Sequence, residues 1–383
     1  MNNAISNNVQ SIEISGIRKF FNKVEKYPSA ISLTLGQPDF KVPQRVKEAM
    51  IKAIIDGKTT YTPNAGIIEL RLEISKYLKN MNICYSPKEV CVTVGGSEGL
   101  LSVFTALINT GDKVLIPTPA YPAYESCVKL VGGQVVNYNL NSEFGIDFHE
   151  LKIILDRVKP KIFVLSFPSN PTGAVLSQID KNKLINVFKE RDIIIVSDEI
   201  YSALYFNESY NSIAQCEALL SKVILVSGFS KMFSMTGLRI GYVCAKEEYM
   251  KHIMKVHQYS VSCAPSIGQW GALEGLLSCN EDVEFMKIEF EKRRDFLYEK
   301  LIELGFECKL PKGAFYIFPS IKNFGMSSEE FCERLLSEAG VAIVPGTAFG
   351  VGGEDFIRIS YSYSMAQLED AINRMGNWIR HLK

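Results

Sequence analysis

Lys231 is the residue whose type and position most clearly suggest chemistry. It follows the apolar run 222–226 and lies in the Ser- and Gly-rich stretch 227–241, which also contains Ser230 and Arg239. A desolvated lysine amine is a nucleophile toward carbonyl compounds. A serine hydroxyl and the planar guanidinium of an arginine are suited to holding a phosphate. Most lysines in loops are solvated surface residues, so the interpretation depends on what the other strand ends carry.

Two further apolar runs end in small polar clusters. The run 90–94 is followed by Gly96 and Ser97, and a Gly-rich turn that opens a helix offers backbone N–H groups to a phosphate. The run 161–167 leads to Asn170, which lies between two prolines. Each feature also has an ordinary interpretation, since Gly turns before helices and rigid proline turns are common in proteins of any function.

Asp198 follows a third apolar run, residues 193–197, where a carboxylate is costly to bury without a cationic partner. It could simply cap the next helix, or it could lie beside a protonated pyridine nitrogen. A lysine amine, an acidic partner for a pyridinium, and a cup of Gly, Ser and Arg for a phosphate together describe a pyridoxal-phosphate site. Their joint occurrence at successive strand ends is far more specific than any one of them.

These residues require a sheet whose strands end at one edge. Near-continuous β-branched runs alternate with helical patterns, which indicates an α/β fold with a mostly parallel sheet sandwiched by helices. Ligands of such sheets bind at the carboxyl ends of the strands. The predicted strands cover residues 90–94, 113–116, 134–138, 161–167, 193–197 and 222–226, with a further strand that starts within 239–245.

The chain divides into three predicted parts. After about residue 245, long helical patterns lead to short strands at 314–318 and 356–360, which indicates a smaller α+β domain. We therefore predict an N-terminal segment that is part of the small domain, 1–45, a large cofactor-binding domain, 46–280, and a small C-terminal domain, 281–383.

The composition disfavours several classes of function. The 383 residues include 42 Lys and Arg and 42 Asp and Glu, so the net charge is zero and no nucleic-acid partner is expected. No apolar run approaches a membrane span, and the polar N-terminus lacks a signal-peptide core, so we expect a cytoplasmic protein without membrane contact. The nine cysteines and four histidines lack metal-type spacing, so we expect no metal site.

Several motifs resemble those of the class I and II aminotransferases, which have fold type I. They are S-N-P-T-G at 169–173, S-D-E-I-Y at 197–201, S-K-M-F-S-M-T-G-L-R-I-G-Y at 230–242, L-G-Q-P-D-F at 35–40, Y-T-P-N-A-G at 61–66 and I-R-I-S at 357–360. The resemblance implies an aspartate-aminotransferase-like fold with a seven-stranded sheet. It also implies pyridoxal 5′-phosphate as cofactor and a homodimer whose subunits share their active sites.

The resemblance implies roles for individual residues around the cofactor ring. Lys231 matches the lysine that forms the Schiff base and moves the substrate Cα proton. Asp198 matches the carboxylate that keeps the pyridine nitrogen protonated. Tyr201 and Asn170 match the hydrogen-bond donors to the ring 3′-oxygen. Tyr121 takes the position of the aromatic residue that stacks on the ring, where many relatives have Trp.

Further matches concern the phosphate and the substrate. The residues that match the phosphate cup are Gly96, Ser97, Ser230 and Arg239, and Tyr61 matches a tyrosine that reaches the phosphate bound by the neighbouring subunit. The residues implied to bind the substrate are Gly36, Asn170 and Arg358. Of these, Arg358 matches the arginine that binds the α-carboxylate bidentately, and the family's layout places Ile17 and Phe21 near the distal substrate group.

Longer stretches at 13–20, 255–264 and 313–326 resemble the N-acetyl-diaminopimelate aminotransferases of lysine biosynthesis. The expected reaction moves an amino group to a keto acid, with glutamate as the expected donor. An aromatic-amino-acid or aspartate aminotransferase is the first alternative, and a pyridoxal-phosphate-dependent C–S β-lyase is the second. A non-catalytic regulatory protein with this fold is a further alternative, which the retained Lys231, Asp198 and Arg358 disfavour.

Overall fold

The computed structural model describes residues 4–206 and 209–382; the outermost ends of the predicted first and last parts therefore lie outside the described residues. The strands are β1 Ile31–Ser32, β2 Val90–Thr93, β3 Lys113–Thr118, β4 Gln134–Asn139, β5 Ile162–Ser166, β6 Ile194–Asp198, β7 Val223–Gly228, β8 Gly241–Cys244, β9 Tyr316–Ile317, β10 Val341–Ala342, β11 Val344–Pro345 and β12 Ile357–Ser360.

The helices follow the predicted alternation with the strands. They are α1 Asn7–Gln10, α2 Gly16–Val24, α3 Gln44–Ile55, α4 Ile68–Asn80, α5 Gly95–Leu107, α6 Ala123–Leu130, α7 Phe148–Val158, α8 Gln178–Phe188, α9 Glu217–Leu220, α10 Phe229–Met232, α11 Glu247–Val261, α12 Ser266–Ser278, α13 Asn280–Glu303, α14 Ser328–Ala339 and α15 Met365–Leu382. Within the described ranges, none of them has both the length and the hydrophobicity that a membrane crossing requires.

The seven-stranded central sheet has the order β2-β8-β7-β6-β5-β3-β4. Every neighbouring pair is parallel except those that include β8, which runs antiparallel to both β2 and β7. The predicted α/β class with a mostly parallel sheet is therefore confirmed. Because β8 runs in reverse, the residues just before it lie at the same edge as the carboxyl ends of the parallel strands.

Both faces of this sheet are buried. Along β5, Phe163 and Leu165 belong to one apolar cluster, whereas Ile162 and Val164 belong to another. Successive side chains of a strand point to opposite faces, so the two clusters are the two covered sides of the sheet. This two-sided burial is the reason why the strand sequences are continuous apolar runs.

The C-terminal part contains an antiparallel three-stranded sheet, β11-β12-β9, which shares an apolar cluster with the long helix α13 and the terminal helix α15. The N-terminal strand β1 pairs in parallel with β10. The residue after β1 also contacts β12, since the Ser360 N–H donates to the Leu33 carbonyl at 3.1 Å. This pairing brings Gly36 toward the edge of the large sheet.

Candidate active site

A cavity of about 360 Å³ lies where the large sheet ends. It brings together all the residues predicted to bind the cofactor or the substrate α-carboxylate except Tyr61: Gly36, Gly96, Ser97, Tyr121, Asn170, Asp198, Tyr201, Ser230, Lys231, Arg239 and Arg358. Most of them follow a parallel strand directly, while Arg239 comes just before the reversed strand β8. Sheet topology therefore accounts for the meeting of residues that are far apart in sequence.

Lys231 lies in α10, the single helical turn that follows β7. Its Nζ donates to the Gly36 carbonyl oxygen at 2.5 Å. Burial, together with the charges of Arg239 and Arg358, lowers the pKa of Lys231 to about 8. An amine with that pKa is neutral far more often near neutral pH than an ordinary lysine, and only the neutral form is nucleophilic.

Asp198 ends β6 and is buried. Its Oδ2 accepts a hydrogen bond from the Tyr124 hydroxyl at 2.7 Å, and its Oδ1 accepts one from the Ile200 N–H at 3.1 Å. Burial raises the pKa of Asp198, although these two donors act against that shift. No basic side chain in the described residues forms an ion pair with it, so a cation would stabilise its ionised form.

Two tyrosine hydroxyls meet at the wall of the cavity. Tyr201 and Tyr316 lie 2.7 Å apart, oxygen to oxygen, and their rings pack edge to face. Tyr316 comes from β9, so this contact joins the C-terminal sheet to the loop after β6. A methyl group at Gly36 would lie 1.8 Å from the Tyr316 hydroxyl oxygen, so only glycine fits there.

Arg358 on β12 is almost completely buried, with 2% of its surface exposed. Its Nη1 donates to Asn170 Oδ1 at 2.9 Å, and its Nη2 donates to the Thr34 carbonyl. The Nε atom is buried without a hydrogen-bond partner. The guanidinium also stacks over the Tyr316 ring, 4.5 Å from its centroid. A fixed guanidinium with an unsatisfied donor is suited to a carboxylate ligand.

The first turn of α5 lies beside the Arg239 guanidinium. Gly95 has a φ of +72°, and a Cβ there would lie 2.5 Å from Arg239 Nη2, so the close approach of backbone and arginine requires glycine. The Arg239 Nη1 donates to the Thr236 carbonyl at 2.9 Å. Helix N–H groups beside an arginine form a favourable place for an anion.

The predicted residues outside or at the margin of the cavity are Tyr61, Phe21 and Ile17. Tyr61 is 87% exposed in this single chain. Of the pair predicted for the distal substrate group, Ile17 lines the cavity, whereas Phe21 stacks against the Arg18 guanidinium. The cavity also contains Tyr124, Ser166 and Tyr316, which the motifs did not single out.

Comparison with known proteins identifies the class of protein that this fold and site belong to. The family model for aminotransferase class I and II matches residues 28–375. The chain is therefore a member of the class I and II aminotransferases, enzymes that use pyridoxal phosphate and act on amino acids and keto acids.

Individual relatives cover nearly the whole chain. A putative aminotransferase of Bacillus subtilis, YugH, is 42% identical over 99% of both chains. The probable N-acetyl-LL-diaminopimelate aminotransferase of the same organism is 42% identical over 98% of this chain and 95% of its own. The solved structure of the aspartate aminotransferase from Thermus thermophilus with maleate is 34% identical, with a TM-score of 0.93 over 98% of this chain and 99% of that one.

Proposed function

We propose that this chain binds pyridoxal 5′-phosphate in the cavity at the sheet edge and transfers an amino group from glutamate to a keto acid. The observation that carries the proposal is the position of Lys231. Its partly buried amine has a pKa lowered to about 8 and shares one cavity with Asp198 and Arg358. In the proposed site, Lys231 holds the cofactor covalently.

The surrounding residues fit this cofactor. Buried Asp198 accepts hydrogen bonds only from neutral donors in the described residues, which leaves it available to a protonated ring nitrogen. Tyr121 presents an aromatic face, and Tyr201 and Asn170 supply donors for the ring oxygen. The proposed phosphate ligands are Gly96, Ser97, Ser230 and Arg239.

When bound, the cofactor would accept the electron pair that remains on the substrate Cα after deprotonation. The substrate amino group would replace the Lys231 amine on the cofactor, and the Lys231 Nζ freed in this way would take that proton, which its lowered pKa favours near neutral pH. Arg358 binds the α-carboxylate and thereby fixes the direction of the Cα–H bond. Asp198 would accept the hydrogen bond of the protonated ring nitrogen and thereby hold the proton there.

We propose N-acetyl-diaminopimelate as the amino acid of the other half-reaction, because a relative of that name matches the chain from end to end. Aspartate is a second candidate, since the Thermus aspartate aminotransferase has the same fold over nearly the whole chain. Aromatic amino acids are a third. Ile17 lines the cavity, so the 13–20 segment contributes to the pocket that would distinguish these substrates.

We also propose that the enzyme is a homodimer with shared sites. Tyr61 is exposed in the single chain, as expected for a residue that reaches a neighbouring subunit. The nearby helix α3 exposes the apolar side chains Ile51, Ile54 and Ile55, which a second copy would cover.

Two experiments test the reaction. Lys231→Ala should abolish turnover and the absorbance of lysine-bound cofactor, whereas Lys251→Ala, at an exposed position of α11, should change neither. Full transaminase activity in the Lys231 variant would refute the assignment.

A panel of N-acetyl-diaminopimelate, aspartate and aromatic amino acids compared by kcat/KM would rank the substrates. Release of pyruvate from cystathionine would indicate the lyase instead.

A further inference from the structure

His257 on α11 lies outside the residues assigned to the cofactor, but it is completely buried between acceptor atoms. Its Nδ1 is 3.1 Å and 3.2 Å from the two carboxylate oxygens of Glu98. Its Nε2 is 3.0 Å from the carbonyl oxygen of Asn64. Each ring nitrogen therefore faces an oxygen that accepts hydrogen bonds.

Opposite an ionised Glu98, both ring nitrogens must donate, which only the protonated imidazolium can do. The Glu98 carboxylate is surrounded by further donors, since Ser102 Oγ donates to Oε1 at 2.5 Å and the Val94 N–H donates to Oε2 at 3.0 Å. Burial raises the pKa of Glu98, but the hydrogen bonds from His257, Ser102 and the Val94 N–H, together with the charge of His257, outweigh burial and leave this pKa lowered. The contacts thus describe a completely buried imidazolium paired with a partly buried carboxylate.

The pair joins two parts of the proposed phosphate site. Glu98 lies in the first turn of α5, directly after Gly96 and Ser97. Asn64 lies in the 59–66 loop, three residues after Tyr61, and its Nδ2 also donates to the Ser262 carbonyl at 2.6 Å. His257 therefore links the turn that would bind the phosphate in one subunit to the loop that would reach the other.

The charge of His257 also matters for an anionic ligand. A bare carboxylate in the first turn of α5 would repel a phosphate at the same turn, and partial burial of the carboxylate strengthens that repulsion. The imidazolium neutralises that carboxylate. Among the described residues, the Cys91 thiol on β2, whose pKa is raised by burial, also interacts with Glu98, and Arg71 on α4 interacts with Cys91 in turn.

We propose that His257 is a positioning residue for the phosphate end of the cofactor. As an imidazolium it cancels the charge of Glu98 and fixes the first turn of α5 against the 59–66 loop. The inference rests on the proposed function, because it requires a phosphorylated cofactor at Gly96 and Ser97. It adds to that function a specific reason why the site would prefer the phosphorylated form of the cofactor.

The test compares two ligands that differ only in the phosphate. Full-length protein stripped of cofactor is titrated with pyridoxal 5′-phosphate and with pyridoxal, and the ratio of the two dissociation constants is measured. His257→Gln should lower the preference for the phosphorylated ligand by roughly tenfold, the scale of one hydrogen bond to a charged group, and leave pyridoxal binding unchanged. His252→Gln, the same change at an exposed position of α11, should leave the ratio unaltered.

A second substitution separates charge from packing. His257→Gln combined with Glu98→Gln removes both charges and should recover most of the preference, because no uncompensated carboxylate remains. An equal loss of affinity for both ligands in His257→Gln, or a double variant no better than the single one, would overturn the inference.

Two further outcomes are decided by the same titration. If His257→Gln does not fold, Glu98→Gln carries the test: it should keep the preference, and a loss of roughly tenfold would contradict the inference. Wild-type protein that binds both ligands equally would refute the proposed function itself and not the role of His257 alone.

Discussion

Lys231 illustrates how the environment of a single residue changes its chemistry. Burial and two neighbouring guanidinium groups lower the pKa of its amine from 10.5 to about 8. Because the amine is more easily deprotonated in the folded protein than in the unfolded chain, it destabilises the fold below pH 8. This unfavourable contribution to the free energy of folding decreases as the pH rises from about 8 toward 10.5. A pKa shifted in this way by burial and neighbouring charges is typical of active-site residues.

The lowered pKa predicts a pH dependence for cofactor attachment. The rate at which the cofactor-free protein binds pyridoxal phosphate covalently should rise with pH through a midpoint near 8, since only the neutral amine reacts. Arg358→Gln removes one of the cations that lower this pKa, so its midpoint should lie at higher pH. Arg157→Gln, the same change at an exposed position, is the control. An unshifted midpoint in the Arg358 variant would contradict this account of the pKa.

Tyr124 provides a second prediction for a single residue. Its hydroxyl donates to Asp198 at 2.7 Å, so Tyr124→Phe should raise the pKa of Asp198 further and weaken its hold on a ring proton. We expect kcat to fall by about tenfold, the cost of one hydrogen bond to a charged group. Tyr138→Phe removes another buried hydroxyl, one that donates to the Val164 carbonyl at 3.0 Å, and should retain kcat. Equal kcat values in the two variants would count against the proposed role.

At the scale of elements, the sequence predicts the positions of the strands better than it predicts their directions. The runs that became β5, β6 and β7 are apolar throughout because both faces of the sheet are covered. The reversal of β8 leaves no trace in such a pattern, since a buried strand has the same composition in either direction. The sequence also suggested a separate Gly-rich turn before α5, whereas the helix itself begins at Gly95.

Some parts of the site could not be predicted from local patterns. Helix α6, which carries Tyr124, has only eight residues between Pro122 and Val131, too few to show a clear period. Tyr316 lies on a two-residue strand and reaches the site only because β9 pairs with β12. Lys231, Asp198 and Asn170 were predictable, because each follows a long buried strand whose end must lie at one edge of the sheet.

The fit between Gly36 and Tyr316 predicts the effect of a small change. Gly36→Ala would place a methyl group 1.8 Å from the Tyr316 hydroxyl and displace the segment whose carbonyls bind Lys231 and Arg358. We expect kcat/KM to fall by about 100-fold, as displacements near 1 Å at an active site can cause. Gly237→Ala, where an added Cβ meets no atom within 4 Å, should be nearly neutral. Similar kinetics in both variants would show that this contact is unimportant.

At the scale of the whole molecule, the proposed dimer makes each site depend on two chains. One site would combine Lys231 of its own subunit with Tyr61 of the other. The domain boundaries predicted from sequence remain a prediction, although the pairing of β1 with β10 does tie the N-terminal segment to the C-terminal part.

Subunit complementation tests this arrangement. Lys231→Ala and Tyr61→Ala proteins, each impaired alone, should form a mixed dimer with one intact site when they are co-expressed. Its activity should approach half that of the wild-type dimer, measured after purification through two different tags. A mixed dimer with only the average activity of the two parents would show that Tyr61 acts within its own subunit or not at all.

The most direct test of the central claim is to locate the bound cofactor chemically. The purified holoenzyme is reduced with borohydride, which fixes a lysine-bound pyridoxal group permanently, and the digested protein is examined by mass spectrometry. The account predicts a single pyridoxyl group per chain, on the peptide that contains Lys231. A pyridoxyl group on another lysine, or none on a protein that retains transaminase activity, would contradict it.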